Sequence, residues 1–121
     1  MDTTIATRAL AALAQEHRLG AFRLLVRAGA DGLAAGAIAR ALGIPHNTLS
    51  SHLSALVGAG LVGSRREGRS IIYSVDLPGT RALLAFLLED CCLGAPETCG
   101  LALESVLPDC CPPSENEVRT P

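Results

Sequence analysis

Five thiols are concentrated at one end of this chain. Cys91, Cys92, Cys99, Cys110 and Cys111 all fall between residues 91 and 121, and the 90 residues before them contain no cysteine. An odd number of thiols cannot close a full set of bridges within one chain. Adjacent cysteines such as Cys91–Cys92 and Cys110–Cys111 seldom join each other, because the small ring strains the peptide. Clustered free thiols of this kind suit two chemistries, capture of a soft metal or metalloid ion and thiol redox exchange. A second chemically capable set lies mid-chain. His46, Asn47, Ser50, Ser51 and Ser54 are small polar residues between Pro45 and Ala59, and Arg65, Arg66 and Arg69 crowd around Glu67-Gly68. Small donors and acceptors match the edges of bases, and the arginine fork matches phosphate.

Hydropathy patterning indicates which elements position these groups. Thr3 to Gln15 is rich in Ala and Leu, with Ile5, Leu10 and Leu13 near helical spacing, and Glu16 to Arg27 reads as a second helix carrying Phe22, Leu24, Leu25 and Val26. Gly29, Asp31 and Gly32 break the pattern. Ala34 to Leu42 is expected to be a short helix stopped by Gly43. Pro45 suits the first turn of the next helix, which should run to Gly58 or Ala59 before Gly60. Within it Leu49, Leu53, Leu56 and Val57 make one apolar stripe for the core. Leu61–Arg66 and Ser70–Val75 then read as a β-hairpin turning at Glu67-Gly68, with the arginines at its tip. A last helix, Gly79 to Cys92, carries Leu83, Leu84, Phe86, Leu87 and Leu88, more apolar surface than one face requires, and so is expected to meet a second subunit. Pro96 starts a short helix through Leu107 in this reading, and the end after Pro112-Pro113 is expected to be disordered.

Composition narrows the class. A chain of 121 residues with 49% hydrophobic and 2% aromatic residues builds its core from Ala, Leu, Ile and Val, which favours packed helices. The longest apolar run, Ala82 to Leu88, is too short for a membrane span, and no basic segment precedes the first apolar stretch, so a cytoplasmic, soluble protein is expected. The formal net charge of −2 hides a division: residues 1–90 hold nine arginines against seven carboxylates, while residues 91–121 hold Arg119 against five carboxylates. The chain has no lysine. It shows no phosphate-binding glycine loop, nucleophile elbow or acid–base carboxylate pair, so no enzymatic activity is expected.

A short helix, a tight turn, a second helix with a small polar face and a hairpin tipped with arginines make a helix-turn-helix followed by a wing. The fold class is thus mainly α with a small β-hairpin. In such a fold the second helix enters the major groove, and wing arginines reach phosphates or the minor groove. Asn47 can pair with adenine, and Ser50, Ser51 and Ser54 with bases or phosphates. Ala12-Leu13-Ala14, Glu16-His17-Arg18-Leu19, Asn47-Thr48-Leu49-Ser50-Ser51-His52-Leu53, Gly60-Leu61-Val62 and Arg65-Arg66-Glu67-Gly68-Arg69 with Tyr73 occur in order over about residues 3–92. Together they resemble the ArsR/SmtB family of winged-helix repressors.

The resemblance implies a homodimer through the first and last helices, a palindromic operator in double-stranded DNA, and release of that DNA when a metal or metalloid ion binds. On the recognition helix Thr48 joins the DNA-facing set, His46 is expected near DNA at the helix start, and His52 is expected to be a structural or phosphate-contacting residue. Some of the family's arsenite sensors carry Cys-Val-Cys in the helix before the recognition helix, where this chain has Gly36-Ala37-Ile38-Ala39-Arg40-Ala41-Leu42. The family's zinc sensors use Asp and His on the last helix, and no histidine occurs between Arg81 and Asp90. Cys91, Cys92 and Cys99 instead resemble the relocated arsenite site of other members, with Cys110 and Cys111 as additional thiols. As(III) is accordingly the expected inducer, Sb(III) shares its thiophilic chemistry, and no organic cofactor is implied. A thiol redox or persulfide sensor on the same fold is the alternative, and a DNA-independent interaction module or metal buffer is a further rival. The expected divisions are residues 1–90 for DNA binding and dimerisation, 91–111 for sensing and 112–121 for the tail.

Overall fold

Asp2 starts the first helix, its carboxylate accepting the Ile5 N–H at 2.9 Å, an N-cap that satisfies an otherwise orphaned donor. The computed structural model describes residues 1–88. In chain order they form α1 (Thr3–Leu13), α2 (Glu16–Ala28), a 3-10 turn (Gly29–Asp31), β1 (Leu33–Ala34), α3 (Ala35–Leu42), α4 (His46–Gly58), β2 (Val62–Glu67), β3 (Ser70–Val75) and α5 (Leu77–Leu88). The elements that hold the candidate interface belong to one compact unit, Met1–Leu83. Cys91, Cys92, Cys99, Cys110, Cys111, the helix expected from Pro96 and the tail lie outside the described residues.

The core is aliphatic, as the shortage of aromatics requires. Leu25, Ile38, Leu49, Leu53, Leu56 and Leu61 are fully buried, each worth about 1.5–3 kcal/mol relative to exposure. On α1 the buried residues are Ala6, Ala9 and Ala12, whereas Ile5 and Leu10 are 47% and 43% exposed. The expected Ile5–Leu10 face is therefore not the one covered within the chain. Alanines at three-residue spacing let another helix approach closely, and the larger side chains are left outward.

Gln15 caps α2, its Oε1 accepting from the N–H groups of His17 and Arg18 at 2.8 and 3.0 Å. Gly43, at φ 70° in the left-handed region, ends α3, a conformation natural only to glycine and a few small polar residues. Pro45 is the N-cap of α4 (φ −63°, ψ 148°), not a residue of its first turn. Its extended ψ is needed because the chain must change direction there before the helix begins.

The three strands form one antiparallel sheet in the order β1-β3-β2. The hairpin pairs Val62 with Val75 through Glu67 with Ser70, one residue later on β2 than the sequence suggests, so the turn is Gly68-Arg69. Gly68 has φ 63°, which a two-residue hairpin turn accepts at its first central position. The strand β1, paired as Leu33–Tyr73 and Ala34–Ile72, was not expected; two residues are too few to show a period of two. Gly32 (φ 69°) precedes it so closely that a Cβ there would collide with the Tyr73 carbonyl oxygen.

Candidate nucleic-acid interface

Helix α4 separates two kinds of side chain by angle alone. Leu49, Leu53 and Leu56 are fully buried, while His46, Asn47, Thr48, Ser50, Ser51 and Ser54 are all exposed. Val57, expected to extend the apolar stripe, is 39% exposed. Eight residues after Leu49, it lies about 80° around the helix and falls at the edge of the buried sector.

The exposed face is built of short polar side chains, two of which make local hydrogen bonds. The Asn47 Oδ1 accepts the Thr48 N–H at 3.0 Å, and the Ser50 hydroxyl donates to the His46 carbonyl at 3.2 Å. These bonds leave a lone pair on Asn47 Oδ1 and both of its Nδ2 hydrogens for a ligand, which is the pattern adenine needs in the major groove.

His52 stands apart from this face. Its Nδ1 accepts from Arg18 Nε at 3.2 Å, and its ring lies 5.6 Å from that of His17, tilted by 48°. Because Arg18 can only donate, the neutral ring carries its proton on Nε2. Burial, then the Arg18 charge and His17, hold the His52 pKa below its ordinary value. His52 thus ties α4 to α2 and is not among the exposed α4 side chains.

The wing arginines are all exposed, yet they are not equivalent. Arg65 Nε bonds the Glu67 carboxylate at 2.7 Å, while its Nη1 and Nη2 donate to the carbonyls of Ala30 (3.3 Å) and Asp31 (2.9 Å). Arg66 and Arg69 have no hydrogen-bond or ion-pair partner among the described residues. Directly opposite residues of an antiparallel pair share a face, so Arg65 lies with half-buried Ile72 and Arg66 with exposed Ile71.

One cation escaped the sequence reading. Arg40, exposed near the end of α3, helps to line an open concavity with Gly36, Ala39, Gly43, Ile44, Pro45 and His46 where α3 turns into α4. The available signal was its place as the sole cation of the first helix-turn-helix helix, which crosses the phosphate backbone in such motifs.

Among the described residues, no group of three or more His, Cys, Asp or Glu is placed to hold a metal ion, and no helix is long and apolar enough to cross a membrane. The cysteine site expected from the sequence lies outside those residues.

Comparison with known proteins follows the same outline. A helix-turn-helix domain family matches residues 13–65. The nodulation protein NolR of Rhizobium meliloti is 38% identical over 86 residues, spanning 71% of this chain and 68% of that protein. The solution structure of Mb0332 from Mycobacterium bovis is described as a homodimeric winged helix-turn-helix DNA-binding domain and a possible ArsR-family transcriptional regulator. It is 34% identical and superposes with a TM-score of 0.59 over 70% of this chain and 77% of that one. An ArsR-like transcriptional regulator from Rhodococcus sp. RHA1 is 29% identical, with a TM-score of 0.61 over 71% and 77% of the two chains.

Proposed function

The chain belongs to the ArsR family of winged helix-turn-helix transcriptional regulators, and from that premise we propose that it is a homodimeric, arsenite-responsive repressor. One observation carries the DNA half of this reading: a buried leucine stripe holds α4 so that Asn47, Ser50, Ser51 and Ser54 face outward beside a wing with uncommitted Arg66 and Arg69. The small side chains read base edges in the major groove, and the two arginines hold phosphates. Arg40 and His46, at the α3–α4 turn, are suited to the backbone on the other side of the groove. A palindromic operator follows from twofold symmetry, with the two α4 helices about 34 Å apart, one turn of DNA. The Mycobacterium relative is homodimeric, and the outward Ile5 and Leu10 of α1 supply an apolar surface for a second subunit.

The sensing half rests on the thiol cluster. As(III) is thiophilic and takes three sulfurs in a pyramid, and soft centres select thiolates. Cys91, Cys92 and Cys99 supply three, with Cys110 and Cys111 as further thiols. Capture of the ion just beyond α5 changes the dimer seam and loosens the hold on DNA, a coupling that needs only about 1–3 kcal/mol.

The test is a titration of operator affinity with arsenite, antimonite, zinc, cadmium and peroxide, on the wild type and on the triple variant Cys91→Ser, Cys92→Ser, Cys99→Ser. Arsenite should release DNA from the wild type and not from the variant. Equal release from both overturns the cysteine assignment. Release by peroxide and not by arsenite favours the redox reading on the same thiols, and absence of any selected duplex removes repression itself.

A further inference from the structure

We propose that Arg65 is a positioning residue of the wing and makes no phosphate contact of its own, so that the wing's grip on DNA depends on Arg66 and Arg69 while Arg65 sets the angle at which they are presented. The inference deepens the DNA-binding reading and rests on it. Three nitrogens of the Arg65 guanidinium are engaged: Nε by Glu67 at 2.7 Å, Nη1 by the Ala30 carbonyl at 3.3 Å and Nη2 by the Asp31 carbonyl at 2.9 Å. The two carbonyls belong to the 3-10 turn that follows α2, so the side chain bridges from the outer strand of the hairpin to the end of a core helix. A planar fork suits two adjacent carbonyl oxygens, and an ammonium does not reproduce it.

The bridge complements a second attachment. The sheet order β1-β3-β2 leaves β2 on the far side of β3 from β1. Backbone pairing of Leu33 and Ala34 therefore ties down β3 only, and Gly32 approaches the Tyr73 carbonyl on that same strand. Arg65 carries hydrogen bonds from β2 itself to the 3-10 turn. With β3 held by backbone bonds and β2 by a side chain, the twist of the hairpin and the direction of its Gly68-Arg69 tip are set from both strands. Arg66, on the opposite face from Arg65, is left with no partner among the described residues. Glu67 reinforces this arrangement, because a carboxylate beside Arg65 repels a phosphate that approaches the same guanidinium.

Two measurements on Arg65→Gln, Arg65→Lys, Arg66→Gln and Arg69→Gln test the assignment, after thermal melts confirm that each variant is folded. The first is the affinity for a duplex that the wild type selects from a random-sequence pool, followed from low to moderate salt. Each lost phosphate contact lowers the salt slope by about one. Arg66→Gln and Arg69→Gln should lose that slope, whereas Arg65→Gln should weaken binding several-fold with the slope intact, and Arg65→Lys should be no better than Arg65→Gln. A slope lowered by about one in Arg65→Gln, or full rescue by lysine, overturns the proposal. The second measurement needs no DNA: amide hydrogen exchange in residues 64–72 should quicken in Arg65→Gln while α4 is unaffected. Unchanged exchange across the wing also overturns it. If the pool yields no enriched duplex, the DNA-binding reading fails, and the exchange result alone decides whether Arg65 positions the wing.

Discussion

The exposed face of α4 and the wing behind it are both polar, but they obtain that character in opposite ways. On α4, the polar groups are no longer than Asn and His, two of them make local hydrogen bonds, Asn47 with Thr48 and Ser50 with His46, and a buried leucine stripe beneath them fixes their position. On the wing, two arginines stand on β2 and a third on the two-residue turn, one of them bound back to the body of the fold and two without partners among the described residues. Short uncharged groups carry directional information and little long-range attraction, while free guanidinium groups carry attraction and little sequence information. The division teaches that specificity and affinity are supplied by different elements and should be separable by experiment.

That separation can be broken or sharpened in order of expected effect. The largest change should follow Leu53→Ala, which leaves a cavity under α4 and should cost about 2–5 kcal/mol, a large share of a typical total of about 5–15 kcal/mol. Chemical denaturation checks it, and a loss below 1 kcal/mol would mean that α4 is not held by this stripe. Next, Asn47→Ala should reduce discrimination between the selected duplex and its single-base variants by about 1–3 kcal/mol with an unchanged salt slope. Arg69→Gln should do the reverse, lowering the slope by about one and weakening all sequences alike. If both variants changed slope and discrimination together, the contrast between the two regions would collapse.

The smallest effect concerns the His52 contact that joins α4 to α2. His52 has a folded pKa below its unfolded value. Its neutral form is therefore favoured by folding, and the associated stability is complete above the unfolded pKa of about 6.5. It is lost as pH falls through the lower folded value. Melting temperature should drop modestly between pH 7.5 and pH 5, and His52→Gln should flatten that dependence. A wild-type profile that is flat or rises on acidification would contradict the sign.

Much of this architecture is legible before any coordinates. Helix spans on either side of Gly43 and the hairpin at Gly68 follow from periodicity and from residues whose backbone freedom marks turns, so the positions of α3, α4 and the wing emerge within a residue or two. Asn47, Ser50, Ser51 and Ser54 are recognisable because an amphipathic helix with three buried leucines must turn its remaining face outward. The two-residue strand β1 is not legible, because its existence depends on pairing with β3, 40 residues further along at Leu33–Tyr73.

The chain's own order of residues determined the helix-turn-helix with its wing, the neutral character of the reading face and the segregation of every thiol beyond residue 90, because these depend on local spacing and composition. Tertiary structure decided which polar residues are available. His52 and Arg65 have the right types and the right positions in the sequence, yet one is turned to Arg18 and the other to the Ala30 and Asp31 carbonyls. Those partners lie 34 or 35 residues away, and no local rule reports whether a donor will be met by a distant acceptor.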